Sequence, residues 1–372
     1  MIHRRSAIAS LVVLCSGLSL HGAEPVTRSG PNPQEVKAMV DRAAAYLKTT
    51  QGMDGSFSPQ RAGPGISAVV AAGLLRNGYS IDDPMVARTL AYLEKKVQQD
   101  GGIYDKFLAN YTTSVALMAF AEANKDHRYD AVIKRATEFI RTMQYDKVES
   151  GDARFGGVGY DGKSRPDLSN TQYFLDALQA AGVGKDDPAV KRALLFVSRC
   201  QNLAGEHNDQ PFAKKATEND KGGLVYNPLA QDNKREQTPQ GGLRSVGAMT
   251  YAGLKSFLYA GLSKDDPRVQ GAVRWIRAHY TLDENPGMGQ AGLYYYYHTF
   301  AKAMTALGED QLEDARKMNH DWRKELLEAL KKRQRPDGSF LNKGDRAFGE
   351  GDPNLATAFA LLTLSYLKTP AK

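Results

Sequence analysis

Three observations predict an all-α fold of the α6/α6 toroid class, six helical hairpins forming an inner and an outer helix ring. A short loop recurs: "QGMDGSF" at 51–57 returns as "QRPDGSF" at 334–340, and "QQDGGIY" at 98–104 is a third close copy. Amphipathic stretches of about four turns alternate with blander, Ala-rich ones along the chain. Between hairpins the text Gly-x-x-x-Asp-Asp-Pro-x-Val starts at Gly78, Gly182 and Gly261.

The loop pattern is Gln, three residues, Gly, one residue, aromatic, and it fits Gln51/Gly55/Phe57, Gln98/Gly102/Tyr104 and Gln334/Gly338/Phe340. Expanded copies lie at Gln144 with "FGGVGY" (155–160), Gln201 with "KGGLVY" (221–226) and Tyr280 with "QAGLYYYY" (290–297). In the expanded copies the terminal tyrosine, and Tyr294 in the last, is read as the bracing aromatic. The helix before each loop has one wet face, as in "YDAVIKRATEFIRTMQ". The helix after it, such as "NYTTSVALMAFAEAN" or "LATAFALLTLSYL", is bland enough to be buried on most sides. Small residues (Ala68, Ala71, Ala72 and Gly73; Gly247, Ala248, Ala252 and Gly253) allow crowding around an axis, which favours a closed ring over an open solenoid.

In the connecting text Gly caps one helix, the second Asp accepts from free amides at the next, and Pro takes the first helical position. Asp82/Asp83, Asp186/Asp187 and Asp265/Asp266 are therefore assigned to structure rather than to a metal or catalytic pair. Asp54, Asp100 and Asp337 are read as turn formers.

Residues 1–23 read as a secretory signal peptide, with Arg4 and Arg5, an apolar stretch over 7–20 and Ala23 at the cleavage point. Residues 24–33 are a linker, 34–372 a single toroid domain, and 202–241 an inserted polar loop expected to form a lid or rim. Cleavage implies a secreted or periplasmic protein without a stable membrane span. It leaves Cys200 alone, so no internal disulfide forms, and it lowers the formal charge from +7 to +5. Hydrophobic content of 42% suits a monomeric globular domain, and dispersed basic residues do not make a nucleic-acid surface.

"QGMDGSF", "QQDGGIY" and "QRPDGSF" resemble the repeat of prenyltransferases and squalene or oxidosqualene cyclases, in which Gln and an aromatic ring brace adjacent helices. The resemblance covers essentially the whole mature chain, after residue 23, and implies the α6/α6 toroid. That barrel also serves complement-type binding domains and, in other lineages, polysaccharide lyases. The Asp-x-Asp-Asp acid of the cyclases does not occur, and "QGGLRSVGAMTYAGL" lacks the Asp-x-Cys zinc ligands of the prenyltransferases. "YYYYHTFAKAM" (294–304) resembles the segment that carries the zinc histidine and places His298 at the matching position. Without the other ligands neither a metal nor a cofactor is implied.

A toroid is expected to leave an axial cavity ringed by inner-helix N-termini. His298 is the first catalytic candidate, as a base or hydrogen-bonding group, with Tyr297 beside it. Tyr296, Arg244, Asn170, Gln172, Asp352 and Asn354 are ligand-binding candidates at the same end. Three functions stay open: binding of an apolar, isoprenoid-like ligand; a carbohydrate-active, lyase-like enzyme using Tyr297 and His298 beside Arg244 and Asn170; and a non-catalytic scaffold that binds a partner.

Overall fold

The structure is a computed structural model and describes residues 30–230, 233–234, 236–345 and 347–368. The expected signal peptide lies outside these residues. Outer helices are α1 (Pro33–Thr50), α4 (Pro84–Glu94), α6 (Asp130–Arg141), α8 (Pro188–Arg199), α10 (Pro267–Ala278) and α12 (Trp322–Lys331). Inner helices are α3 (Gly65–Arg76), α5 (Ala109–Ala123), α7 (Leu168–Ala180), α9 (Gly247–Tyr259), α11 (Leu293–Leu307) and α13 (Pro353–Ser365). One turn, α2 (Pro59–Ala62), precedes α3, and a two-stranded ribbon, β1 (Leu312–Glu313) with β2 (Asn319–His320), joins α11 to α12.

Neighbouring inner helices pack in the order α3, α5, α7, α9, α11, α13, and α13 packs back on α3, which closes the ring. Composition explains the two layers. In α13 every residue from Asn354 to Leu364 is buried, whereas α6 buries only Ala136, Phe139 and Ile140. At the closure a Cβ on Gly73 would stand 3.0 Å from the Cβ of Leu361, so the smallest residue lets α3 and α13 meet.

The recurrent loop works as a clamp between hairpins. The side-chain amides of Gln51, Gln144, Gln201 and Gln334 each donate both to a carbonyl in their own loop and to the first turns of an outer helix. Gln334 reaches Met39 of α1 at 3.0 Å, joining the last repeat to the first. The loop glycine leaves no room for a side chain: a Cβ on Gly338 (φ 87°) would lie 2.3 Å from the Arg42 carbonyl.

Two residues after that glycine, the amides of Phe57, Ile103, Val158, Leu224 and Phe340 donate to Ser67, Thr113, Thr171, Thr250 and Thr357 of the following inner helix. This corrects the register of the middle copies. Ile103, Val158 and Leu224 are the fully buried braces. Tyr104, Tyr160 and Tyr226 are not, because the glycine fitting the outer helix is Gly101, Gly156 or Gly222. Gln98 is displaced by one position too, and its amide donates to the Tyr104 and Lys96 carbonyls instead of bridging to the next helix.

Asp83, Asp187 and Asp266 accept from amides of the first turn of α4, α8 and α10, as the sequence predicts. Asp54, Asp100 and Asp337 each accept the amide two residues on within their turns. Among the described residues no helix is long and apolar enough to cross a membrane.

Candidate functional site

At the N-terminal ends of the inner helices lies an axial cavity of about 620 Å³. Every inner helix contributes to its wall: Ile66 from α3, Tyr111 from α5, Asn170 and Tyr173 from α7, Ala248 and Met249 from α9, Tyr295 from α11, and Leu355 and Phe359 from α13. Loops add Leu108, Tyr160, Tyr226, Glu236, Arg244, Met288 and Phe348. The rings form a continuous belt. Tyr111 and Tyr173 meet edge to face at 5.1 Å, Tyr173 faces Tyr295 at 6.1 Å, and Tyr295 touches Phe359 at 5.8 Å and stacks on Phe348 at 6.1 Å.

Helix N-termini ordinarily attract anions, yet here the chain itself supplies the acceptors. Asp167 caps α7, taking the Asn170 amide at 2.8 Å through one oxygen and the Asn170 side chain at 2.8 Å through the other. Glu350 accepts from the Tyr295 amide of α11 at 2.7 Å and from Asn342 at 2.8 Å. Asp352 caps α13, and Asn285 accepts from Ala248 of α9 at 3.0 Å. Burial pushes Asp167 up to about 6, although hydrogen bonds from Asn170 and Tyr226 pull against it. Burial likewise pushes Glu350 up to about 7. The cavity wall is thus carbon-rich, and the amides at the starts of α7, α9, α11 and α13 have acceptors from the chain itself.

Of the residues expected to form the site, Asn170 and Arg244 line this cavity. The others sit elsewhere. Tyr296 and Tyr297 point outward between the helix layers, their hydroxyls donating to the carbonyls of Thr281 (2.8 Å) and Leu282. The tyrosine of that run that faces the axis is Tyr295, one helical turn before His298. Gln172 lies below the wall, donating to the Tyr295 hydroxyl at 3.2 Å. Asn354 ties α13 to the first repeat through Thr50 (2.7 Å) and Ser58 (2.9 Å), and both oxygens of Asp352 are near the capped amides or Arg61.

His298 is buried deeper along the axis, its ring near Phe359 and Tyr366. There the inner helices carry a charged cluster: Asp176 of α7 pairs with Lys255 of α9 at 2.5 Å and with Lys302 of α11 at 2.7 Å, while Arg76 of α3 pairs with Glu122 of α5 at 2.8 Å. Burial first, then Lys302 and Arg76, hold the His298 imidazole well below its ordinary range, so it is neutral. A second cation would be repelled there. Among the described residues no group of three His, Cys, Asp or Glu side chains stands ready to hold a metal. Cys200 is buried, which pushes its thiol well up and leaves it inert.

Sequence reasoning missed Tyr160, Tyr226, Tyr173 and Phe359 at the cavity, the Asp167 cap of α7 beside it, and the Asp176, Lys255 and Lys302 cluster below it. A signal for the cluster was present: charges are scarce in the bland helices, and a charge on a helix buried all round must face another.

Residues 60–218 match the model of the squalene-hopene cyclase C-terminal domain. No curated protein matches the chain by sequence. Among solved structures the fold is similar to the type II terpene cyclase MstE from Scytonema in its apo form (13% identity, 90% of this chain and 98% of that one, TM-score 0.51). It is also similar to a D-mannose isomerase (11% identity, 89% and 97%, TM-score 0.53). A third is an inactive variant of an α-1,6-mannanase of Salegentibacter in complex with α-1,6-mannotriose (11% identity, 90% and 99%, TM-score 0.54). At these identities the likeness concerns architecture, which does not carry chemistry with it. Its ring of paired helices is an α/α toroid, and residues 60–218 are similar to the squalene-hopene cyclase C-terminal domain.

Proposed function

We propose that this is an exported protein that binds an apolar, isoprenoid-like ligand in the axial cavity, with segment 202–241 as part of the rim that covers it. The observation carrying the reading is the lining: a belt of tyrosine and phenylalanine rings around about 620 Å³, beside four helix N-termini whose amides already have side-chain acceptors. Burying an apolar body against such a wall gains about 25 cal/mol per Å² of carbon surface removed from water. The rim residues Tyr226 and Glu236 belong to the inserted segment and border the same space. Binding without turnover and binding with catalysis both fit this cavity.

The carbohydrate-active reading asked Tyr297 and His298 to act as acid and base, and neither borders the cavity. It is left with the fold of the mannose isomerase and the mannanase as its support. The test is solvent extraction of the purified protein followed by mass spectrometry of what it retained. Retention of an apolar, prenyl-type molecule is expected. Recovery of an oligosaccharide instead would overturn the proposal.

A further inference from the structure

The axial cavity adjoins a smaller chamber of about 210 Å³, with which it shares Arg244 and Gly287. The two spaces differ in chemistry. Carbon dominates the large one, whereas Thr217, Asn219, Thr238, Gln240 and Ser245 give the small one hydrogen-bonding walls. A molecule filling both must itself be apolar at one end and polar at the other.

Charge narrows the polar end. Among the described residues the cations that border the main cavity are Arg61 and Arg244. Arg61 lies 4.0 Å from Asp352. Arg244 is exposed, and among the described residues its guanidinium has no ion pair and no hydrogen bond; only its backbone amide is engaged, donating to the Glu236 carbonyl at 2.8 Å. The nearby carboxyls are committed elsewhere. Asp220 takes the Ser245 amide at 2.8 Å and the Thr217 hydroxyl at 2.5 Å, and Glu236 accepts from Asn233 at 2.6 Å. On the far wall His279 stacks on Trp275 at 4.2 Å, its ring nitrogens 2.8 Å from the Trp275 carbonyl and 3.1 Å from Asn219 Oδ1. A planar fork of donors therefore stands unused at the boundary between the two spaces.

We infer that the ligand is an amphiphile with an acidic head, carboxylate or phosphate, which Arg244 receives where the cavity meets the side chamber, while the apolar body lies along the aromatic belt. The inference rests on the apolar-ligand reading above. Among the described residues the deeper cations Lys255, Lys302 and Arg76 are already paired with carboxylates, and the starts of α7, α9, α11 and α13 have acceptors on their amides, so an acidic head finds its free guanidinium at Arg244.

The test uses three probes with one alkyl chain, oleate, oleyl phosphate and oleyl alcohol, titrated by calorimetry into the protein and its Arg244→Met and Arg244→Lys variants. Arg244→Met is expected to weaken the two acids about 10- to 100-fold while leaving the alcohol within about twofold, and Arg244→Lys to recover part of the loss. The tighter of the two acids identifies the head group. Equal losses for all three probes, or no loss for the acids, would overturn the inference and leave the cavity reading standing. If the wild type binds none of the three, the cavity reading falls and takes the inference with it.

Discussion

Asp176→Asn is expected to destabilise the protein by about 3–5 kcal/mol, because it leaves two buried ammonium groups without their counter-charge. Asp176 is almost wholly enclosed, and it faces Lys255 and Lys302 from the two neighbouring inner helices. Burial alone would raise its carboxyl, yet the two lysines hold it at about 2. Lys255 shows the opposite balance: burial outweighs Asp176 and brings it down to about 8. The signs follow from proton binding. Asp176 titrates lower in the folded chain than its ordinary 3.8, so its contribution is present above that pH and is lost as the pH falls toward 2. For Lys255 the unfolded chain binds more protons between about 8 and 10.5, so stability from this group rises with pH across that window. In the Asn variant the deficit should therefore shrink as the pH is raised from 7 to 10. Urea unfolding at the two pH values measures it. Replacing all three by Asp176→Leu, Lys255→Met and Lys302→Met should restore most of the loss, since no buried charge is then left unpaired. A single Asn variant as stable as wild type would show that the axis is wet and the cluster solvated.

Ala248→Trp is expected to abolish binding of an apolar ligand, by at least about 100-fold, with little effect on folding. Ala248 is buried in the first turn of α9 and borders the cavity. An indole there occupies space that the ligand needs and buries its own carbon against the tyrosine belt. Filling an existing void differs from inserting bulk into a packed core, which ordinarily costs about 1–3 kcal/mol. Titration of oleyl alcohol, with thermal unfolding as the control for fold, checks both halves. Undiminished binding by a folded variant would place the ligand outside the axis.

The architecture was legible because it rests on local, repeated chemistry. Gly-x-x-x-Asp-Asp-Pro is a cap, a donor sink and a helix start in seven residues, and Asp83, Asp187 and Asp266 do what that spacing requires. The loop was harder to read in its degenerate copies. An aromatic residue looked like the brace, whereas the requirement is a buried side chain two positions after a glycine in the left-handed region. Ile103, Val158 and Leu224 meet it as well as Phe57 or Phe340. That freed Tyr160 and Tyr226 for the cavity wall.

The site was less legible, because facing the axis depends on helix rotation. Tyr294 to Tyr297 are all buried, so composition does not separate them, and only Tyr295 borders the cavity. His298 stood out because its segment resembles the one that carries a zinc histidine. Burial, Lys302 one turn on along the same helix, and Arg76 and Lys255 from other repeats keep it neutral. Asp167 did not stand out, because in sequence it is one aspartate among many before a helix; it caps α7, and burial pushes its carboxyl up.

The inner ring is closed by α3 against α13 around an aromatic-lined cavity at one end. A crystal structure of the protein grown with oleyl alcohol tests it most directly. The account predicts alkyl density between the inner-helix first turns, in contact with Tyr173 and Phe359, with α3 packed on α13. Density confined to the outer surface, or a spiral in which those two helices stand apart, would contradict it.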